Sequence, residues 1–523
     1  MADISSDELK AIQAIFMQFE RRSEKVSQQI LARTFVDAEP LFIQLSSKNH
    51  QVLYGRRGTG KTHALKFLGE QIESQGERSI YIDLRTVGSN GSIYNDYQRP
   101  VSERAARLVT DVLEALEQEL MSIAVAQIDT APDANQITLR LDDLSAAIRT
   151  VEVKGPVENE QITGNSSKNG RGAKISFSPA GASIDVNANT DRQLNSSNRF
   201  KQSGEQRPSI DFGSLQTSLS GLLDVLGVPR IWLLVDEWSE IPIDLQPLLA
   251  DLLRRTILPH PKMIVKFAAI EHRSQFATLL ERGGYTGIEI GADVTADINL
   301  DDFVVYDVDQ RRATEFFKNL IYRHYKVSES ANPNIRSAEQ LISVVFTQAP
   351  VFQEFVRAIE GVPRDAMNLA AMVARLAWGR QVSVNDVRKA AREWYQQDKM
   401  SVTKSSPILG EILNTIVTSV IEGRRARAFL FPSGTNIPEI DQLYDARLLH
   451  LLKKSIASKD EAGRRYDVYK IDYGCYVDLI STTKAPLGLL IGDDDSYVDV
   501  PPDDYRSIRR AILRPEDIPS LGQ

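Results

Sequence analysis

The sequence predicts an α/β fold in which a parallel β-sheet is flanked by helices and followed by a wholly helical segment and a smaller mixed unit. Three observations carry this expectation. Val52 to Tyr54 leads through a glycine-rich turn into a helical run from Lys61 to Gly69, and Ser79 to Leu84 then reads as a second strand, giving a βαβ opening. Arg230 to Val235 and Met263 to Ile270 are continuously apolar, the pattern of strands buried on both faces of a parallel sheet. From Gln310 to about Gln397 only helical spacing recurs.

The remaining elements follow in order. Leu9, Ile12, Ile15, Phe16 and Phe19 space a helix in residues 1–45, leading toward the sheet. Val101 to about Val125, Leu215 to Leu226 and Asp244 to Thr256 read as helices, and Phe303 to Val308 as a short strand closing a core over residues 46–309. Residues 151–208 break this pattern, being rich in Gly, Ser and Asn. Within them Lys174 to Ser178 and Ser183 to Val186 alternate polar and apolar around Pro179 and Gly181, which predicts an inserted, solvent-projecting hairpin on flexible stalks. A protein-docking element and a loop with no role both stay open for it. A helical segment at 310–398, a mixed unit at 407–482 and a Pro- and Asp-rich acidic tail at 483–523 complete the chain.

Composition narrows the function classes. A chain of 523 residues exceeds one ordinary core and predicts two to three domains. With 42% hydrophobic and 25% charged residues it is of globular type, and no apolar run approaches the ~20 residues of a membrane span. The net charge of −8 opposes indiscriminate coating of nucleic acid through a general positive field. The single cysteine, Cys475, excludes an internal disulfide and fits a reducing compartment, and the start lacks the basic and apolar regions of a secretory signal, so a cytoplasmic location is expected. The six histidines show no i, i+3 or i+4 pairing of the kind a metal cluster uses.

The turn after the first strand reads "GRRGTGKT", which meets GxxxxGK(S/T) at every fixed position. Anionic phosphate oxygens need many converging donors and no side chains in the way. Gly55, Gly58 and Gly60 leave backbone N–H groups free to wrap phosphates at the start of a helix. Lys61 would reach the β and γ oxygens and Thr62 would ligand Mg²⁺, with Arg56, Arg57, Thr59 and His63 completing the binding stretch. Chance produces such an octapeptide in a chain of this length with a probability of about one in a hundred. "IWLLVDEWSE" supplies the acids such a loop requires: Asp236 to hold Mg²⁺ and Glu237 to orient or deprotonate an attacking water. ATP and Mg²⁺ are the expected ligands, and hydrolysis the expected reaction.

A further polar group is expected where the strand ending near Ile270 meets the γ-phosphate, and Arg273 is the candidate. Arg364, in the first turn of the helix opened by Gly361-Val362-Pro363, would swing onto the same phosphate from the helical segment. Arg254, Arg255 and Arg282 are candidates for a cation given to a neighbouring subunit, a homo-oligomer being one open arrangement.

Together, in this order, these motifs resemble AAA+ P-loop ATPases, above all the origin-recognition-complex-like branch with its bacterial relatives, and the STAND signalling ATPases. "GRRGTGKT" is similar to the family's Walker A motif and "LLVDEW" to Walker B; Arg273 stands at the sensor 1 position, usually asparagine in the family, and Arg364 at sensor 2. Gly361-Val362-Pro363 resembles the GxP of STAND lids, and the likeness runs from about Phe35 to Asp398. It implies a helical lid over residues 310–398 and a C-terminal winged helix over 407–482. For that unit the residues suggest a helix from about Asp445 to Ile456 bearing Lys453 and Lys454, a turn through Gly463, and two strands around Tyr473-Gly474. Arg424, Arg425 and Arg427 before it and Arg464 and Arg465 at the wing would straddle duplex phosphates, but acidic residues nearly balance them.

Two functions stay open. One is ATP-dependent action on DNA or a DNA-associated complex, with bacterial antiviral defence a setting implied by resemblance alone. The other is a STAND-like switch or scaffold that controls a partner protein without touching nucleic acid.

Overall fold

The computed structural model describes residues 5–518 apart from 21–26, 39, 88–90, 128–133, 150, 155–156, 160–199, 203–204, 209–210, 281–282, 304, 425, 436, 458–462 and 481–510. Three helices come first: α1 (Ser6–Met17), α2 (Gln28–Thr34) and α3 (Leu41–Leu45). A capping box between Ser5 and Glu8 starts α1, which presents Leu9, Ile12, Ile15 and Phe16 as a buried face. That face packs into the helical segment rather than onto the sheet. Gln13 locks it there, its amide donating to the carbonyls of Ala377 at 2.9 Å and Arg380 at 2.8 Å.

The sheet begins with β1 (Gln51–Tyr54), followed by α4 (Lys61–Ser74), β2 (Arg78–Asp83), α5 (Gly91–Tyr94), α6 (Val101–Gln127) and α7 (Ala134–Ile148). Four short strands follow, β3 (Val151–Lys154), β4 (Val157–Asn159), β5 (Phe200–Gln202) and β6 (Glu205–Pro208). They pair antiparallel, β3 with β6 and β4 with β5, so the two ends of the insertion run side by side as strands. The hairpin expected at 174–186 lies outside the described residues.

The core resumes with α8 (Phe212–Val225), β7 (Ile231–Asp236), α9 (Gln246–Thr256), β8 (Met263–Ala269), the hairpin of β9 (Ala277–Leu279) and β10 (Tyr285–Gly287), and β11 (Thr295–Asn299). Five strands form one parallel sheet in the order β11-β1-β8-β7-β2. Every residue of β7 and β8 is buried, because α4 covers one face of the sheet and α6, α8 and α9 the other. Lys266 of β8 is fully buried, its ammonium capped by the carbonyls of Ser47 at 2.7 Å and Asn49 at 2.9 Å and by Gln51. That ties the chain's entry into β1 to the sheet floor.

The closing strand departs from expectation. It is β11; a 3₁₀ turn follows over Leu300–Asp302, and where a strand was expected at Phe303–Val308 the described residues 303 and 305–308 are turns and irregular chain. An edge strand has a single neighbour, so "TADIN" buries Ile298 while its other positions stay partly wet and its apolar signal is weak.

The helical segment comprises α10 (Gln310–Lys326), α11 (Ala338–Val345), α12 (Ala349–Ile359), α13 (Pro363–Leu376) and α14 (Val384–Trp394), which runs on as a π-turn over Tyr395–Lys399. Next come α15 (Ser401–Ser405), α16 (Pro407–Val417), β12 (Ala428–Pro432), α17 (Pro438–Asp445), β13 (Leu449–Ala457), β14 (Arg465–Ile471) and α18 (Tyr473–Ile480). β12, β14 and β13 form an antiparallel sheet in that order, and residues 511–513 of the tail lie beside β12, with Leu513 buried.

The helix expected over Asp445–Ile456 is corrected by this order. Pro438 starts a helix that ends at Asp445, and Arg447, at φ 63°, turns the chain out of it while the Leu448 N–H closes back on the Leu443 carbonyl at 2.9 Å. Lys453 and Lys454 therefore sit on a strand. The strands expected around Tyr473-Gly474 lie earlier, as β13 and β14, and Tyr473 opens α18.

Candidate nucleotide site

The loop from Gly55 to Gly60 leaves β1 at the C-terminal edge of the sheet and ends at the start of α4. Gly58 and Gly60 take φ of 91° and 101°, where a Cβ is disfavoured, and so turn the backbone tightly around α4's first residues. Lys61 is buried, with Nζ 2.7 Å from the Gly55 carbonyl and 3.0 Å from that of Arg56. Burial pulls its pKa below the ordinary lysine value, while Glu237 and Asp236 pull it back. His63, two residues on, reaches the Leu31 carbonyl with Nε2 at 2.8 Å and so pins α2 over the start of α4.

Asp236 ends β7 and is fully buried. Its Oδ2 accepts from the Tyr81 hydroxyl at 2.7 Å and its Oδ1 from the Glu237 N–H at 2.8 Å. Glu237 stands at φ 56°, a conformation that costs a non-glycine residue about 1–3 kcal/mol and is held by its surroundings. Trp238 does the holding: it is 0% exposed, stacked on Phe276 at 4.7 Å and edge-on to Phe267 at 5.3 Å. Burial, then the charge of Asp236, raises the Glu237 carboxyl above its ordinary value.

These groups share one cavity of about 350 Å³. Arg57, Lys61, Thr62, Arg85, Glu237 and Glu240 line it from the core, Pro363, Arg364 and Met367 from α13, Leu320 and His324 from α10, and Leu31 and Thr34 from α2. The Arg364 N–H donates to the Gly58 carbonyl at 3.1 Å, so the helical segment closes directly on the loop. A smaller apolar cavity of about 50 Å³ adjoins it between Phe35, Leu300, Phe316 and Pro363.

Among the expected site residues, Lys61, Thr62, Glu237 and Arg364 thus meet in one place, with Asp236 beneath Glu237. Arg273 does not join them. β8 stops at Ala269, and a 3₁₀ turn carries Glu271–Arg273 away, leaving Arg273 exposed on the side of α17, where its charge acts on Asp445. Arg254 and Arg255 are held by Asp251 at 3.0 and 2.7 Å, and Arg282 lies outside the described residues. Arg57 faces the cavity and pairs with Glu240, whereas the Arg56 side chain turns away from it.

Two contributors were missed. Tyr81 lies on β2 and Arg85 just past its end, and β2 lies beside β7 in register, Asp83 opposite Asp236. Arg85 grips Asp83 at 2.7 Å and comes within 3.5 Å of Glu237. The signal was present in "YIDLR", a charged residue just past a strand, but only the strand order shows that it flanks the acids.

Residues 19–86, from the chain before α2 through the loop and β2, match the ORC-CDC6-like family. The chain's parallel sheet with flanking helices is an α/β architecture. No curated protein matches the chain. Among solved structures, the Aeropyrum pernix Orc1 protein in complex with DNA is similar at 14% identity and a TM-score of 0.33, over 85% of this chain and 93% of that one. The matched stretch ends at residue 86, and Glu237 and the first turn of α13 meet its loop at one cavity from farther along the chain. Among the described residues, no helix is long and apolar enough to cross a membrane.

Proposed function

We propose that this chain is an ATP-hydrolysing switch in which residues 310–399 act as a lid and the unit from α16 to α18 carries the output. The observation that supports it best is the contact of Arg364 with Gly58 above the cavity shared by Lys61 and Glu237. The residues fit the ligand. Gly58 and Gly60 leave no side chain over the loop, Arg57, Lys61, Arg85 and Arg364 line the cavity opposite the acids Glu20, Glu237 and Glu240, and the adjoining pocket offers apolar side chains toward a base.

Backbone N–H groups at the start of α4 and the Lys61 ammonium would hold the phosphates. Thr62 and Asp236 would hold Mg²⁺, which would neutralise charge on the phosphate oxygens. Glu237 would take the proton of a water that attacks the γ-phosphorus as the bond to the bridging oxygen breaks, and Arg364 would balance the charge that develops. Loss of the γ-phosphate would release Arg364 and with it the lid. Lys61→Ala is expected to abolish ATP binding, and Glu237→Gln to keep binding but lose turnover. Hydrolysis at the normal rate by Glu237→Gln would remove Glu237 from its role.

For the output, Lys453, Arg464 and Arg465 are exposed on the β13–β14 hairpin and suit duplex phosphates. A single short helix, α17, separates β12 from β13, and it packs against the core: Tyr444 lies under Arg56, and Asp441 is 3.4 Å from His272. It is therefore not presented to a groove, so contact through this unit would follow the DNA backbone with little sequence preference. The same packing favours the alternative, a switch whose partner is a protein. Duplex binding across a salt series separates the two, since the first requires steep salt dependence that Lys453→Ala and Arg464→Ala weaken.

A further inference from the structure

Phosphate binding does not require Arg56, yet it is among the most buried charges in the chain at 3% exposed. Its N–H donates to Asp301 Oδ2 at 2.8 Å and its Nε to Asp301 Oδ1 at 2.7 Å. Nη1 donates to the Leu449 carbonyl at 3.3 Å and to His450 Nδ1 at 2.9 Å, and the guanidinium lies 4.6 Å over the Tyr444 ring. An arginine can only donate, so His450 Nδ1 accepts and the ring proton sits on Nε2, which donates to Asp472 at 3.1 Å. The loop is thereby fastened to the chain from α17 into β13.

The same short segment also grips the lid. Arg447 pairs with Asp365, the residue after Arg364, and with Asp398 at 2.9 Å. Behind it the buried Lys399 bridges Asp472 and Asp365. Tyr444 to His450 thus spans both walls of the nucleotide cavity, the loop through Arg56 and the lid through Asp365. The Arg56 carbonyl is in addition one of the two acceptors of the Lys61 ammonium.

We propose that this segment transmits nucleotide state to the C-terminal unit, with Arg56 its positioning residue on the loop side and the Arg447–Asp365 pair its hold on the lid. The inference rests on the nucleotide reading above. When Lys61 engages phosphate it exchanges its carbonyl acceptors, which leaves the Arg56 carbonyl to Thr59 alone, whose Oγ1 donates to it at 2.9 Å, and lid movement changes the spacing between Arg56 and Asp365. Breaking a buried pair leaves an uncompensated charge, so the walls carry residues 444–450 with them instead of sliding past. By linkage, whatever binds the C-terminal unit in one position shifts nucleotide affinity by the same factor.

Hydrogen exchange of the full chain tests this, with Mg²⁺ and a non-hydrolysable ATP analogue and with occupancy verified in each variant by displacement of a fluorescent nucleotide. In the wild type, saturating analogue is expected to change exchange across residues 444–452 by about threefold or more. At equal occupancy that change is lost in Arg56→Lys, which keeps the charge but not the fork, and in His450→Gln on the other side of the contact, which serves if Arg56→Lys does not fold. A wild type that binds the analogue without any change at 444–452, or variants that retain the full change, would overturn the inference alone. A wild type that binds no nucleotide would overturn the functional reading and this inference together.

Discussion

The Arg364 N–H donates to the Gly58 carbonyl at 3.1 Å, so the first turn of α13 rests on the phosphate loop with no side chain between them. Gly58 is at φ 91°, and a Cβ there would stand 2.9 Å from the Arg364 Cβ. Gly58→Ala is therefore expected to lift the lid and weaken ATP binding at least about tenfold, or ~1.4 kcal/mol. Titration with a fluorescent nucleotide measures it, and an unchanged affinity would mean that binding does not need the closed contact.

Arg364 itself lines the cavity, and in the proposed hydrolysis it would balance charge that develops only as phosphate leaves. Arg364→Ala should lower turnover by about a hundredfold, with a much smaller loss of nucleotide affinity. Equal losses in both would assign it to ground-state binding.

The pH profile of turnover reports on Glu237. Only its ionised form accepts a proton, and burial with the charge of Asp236 holds its pKa above the ordinary carboxyl range. Turnover should rise with pH through that raised value. Arg85 favours the ionised form, so Arg85→Ala should move the acidic limb to higher pH. A limb that stays in place or moves down would argue that another group sets it.

Trp238 fixes the left-handed turn that carries Glu237. Trp238→Ala removes a fully buried side chain and its stack on Phe276, and should cost about 3–5 kcal/mol in urea denaturation. A loss under about 1 kcal/mol would show that the turn stands without it.

Acid should destabilise the fold through its buried histidines. His50 Nδ1 accepts from the Val265 N–H at 3.0 Å, so the ring must be neutral, and burial lowers the pKa of His50, His63 and His450, and that of His324 to about 3. Each folded value lies below the ordinary 6.5, so the unfolded chain binds more protons below that pH. Their contribution is whole above 6.5 and is lost as the pH falls toward the folded values. The denaturation midpoint should drop between about pH 7 and about pH 5, and His324→Phe should reduce the drop. A flat midpoint would contradict the neutral assignment.

The parts of the site legible in sequence are those whose requirement is local. Gly58 and Gly60 are called for by backbone angles, Asp236 by its place at the end of an apolar strand, and Arg364 by a proline-initiated helix. β13 was misread as a helix because a short apolar run suits either period, and only pairing with β14 settled it. β11 was missed because an edge strand buries a single row of side chains.

The sequence by itself determined the parallel α/β core, the glycine turn after its first strand, the acidic pair at the end of β7 and the proline-initiated helix α13, because glycine freedom, strand burial and helix initiation depend on neighbouring residues. Only the tertiary structure decided which charges serve the cavity and which serve the frame. Arg56 and Arg57 are adjacent in "GRRGTGKT", yet one is buried against Asp301 and His450 and the other faces the cavity beside Glu240. A charge is worth what surrounds it, and Arg56's partners lie 245 and 394 residues along the chain, where no local pattern reaches.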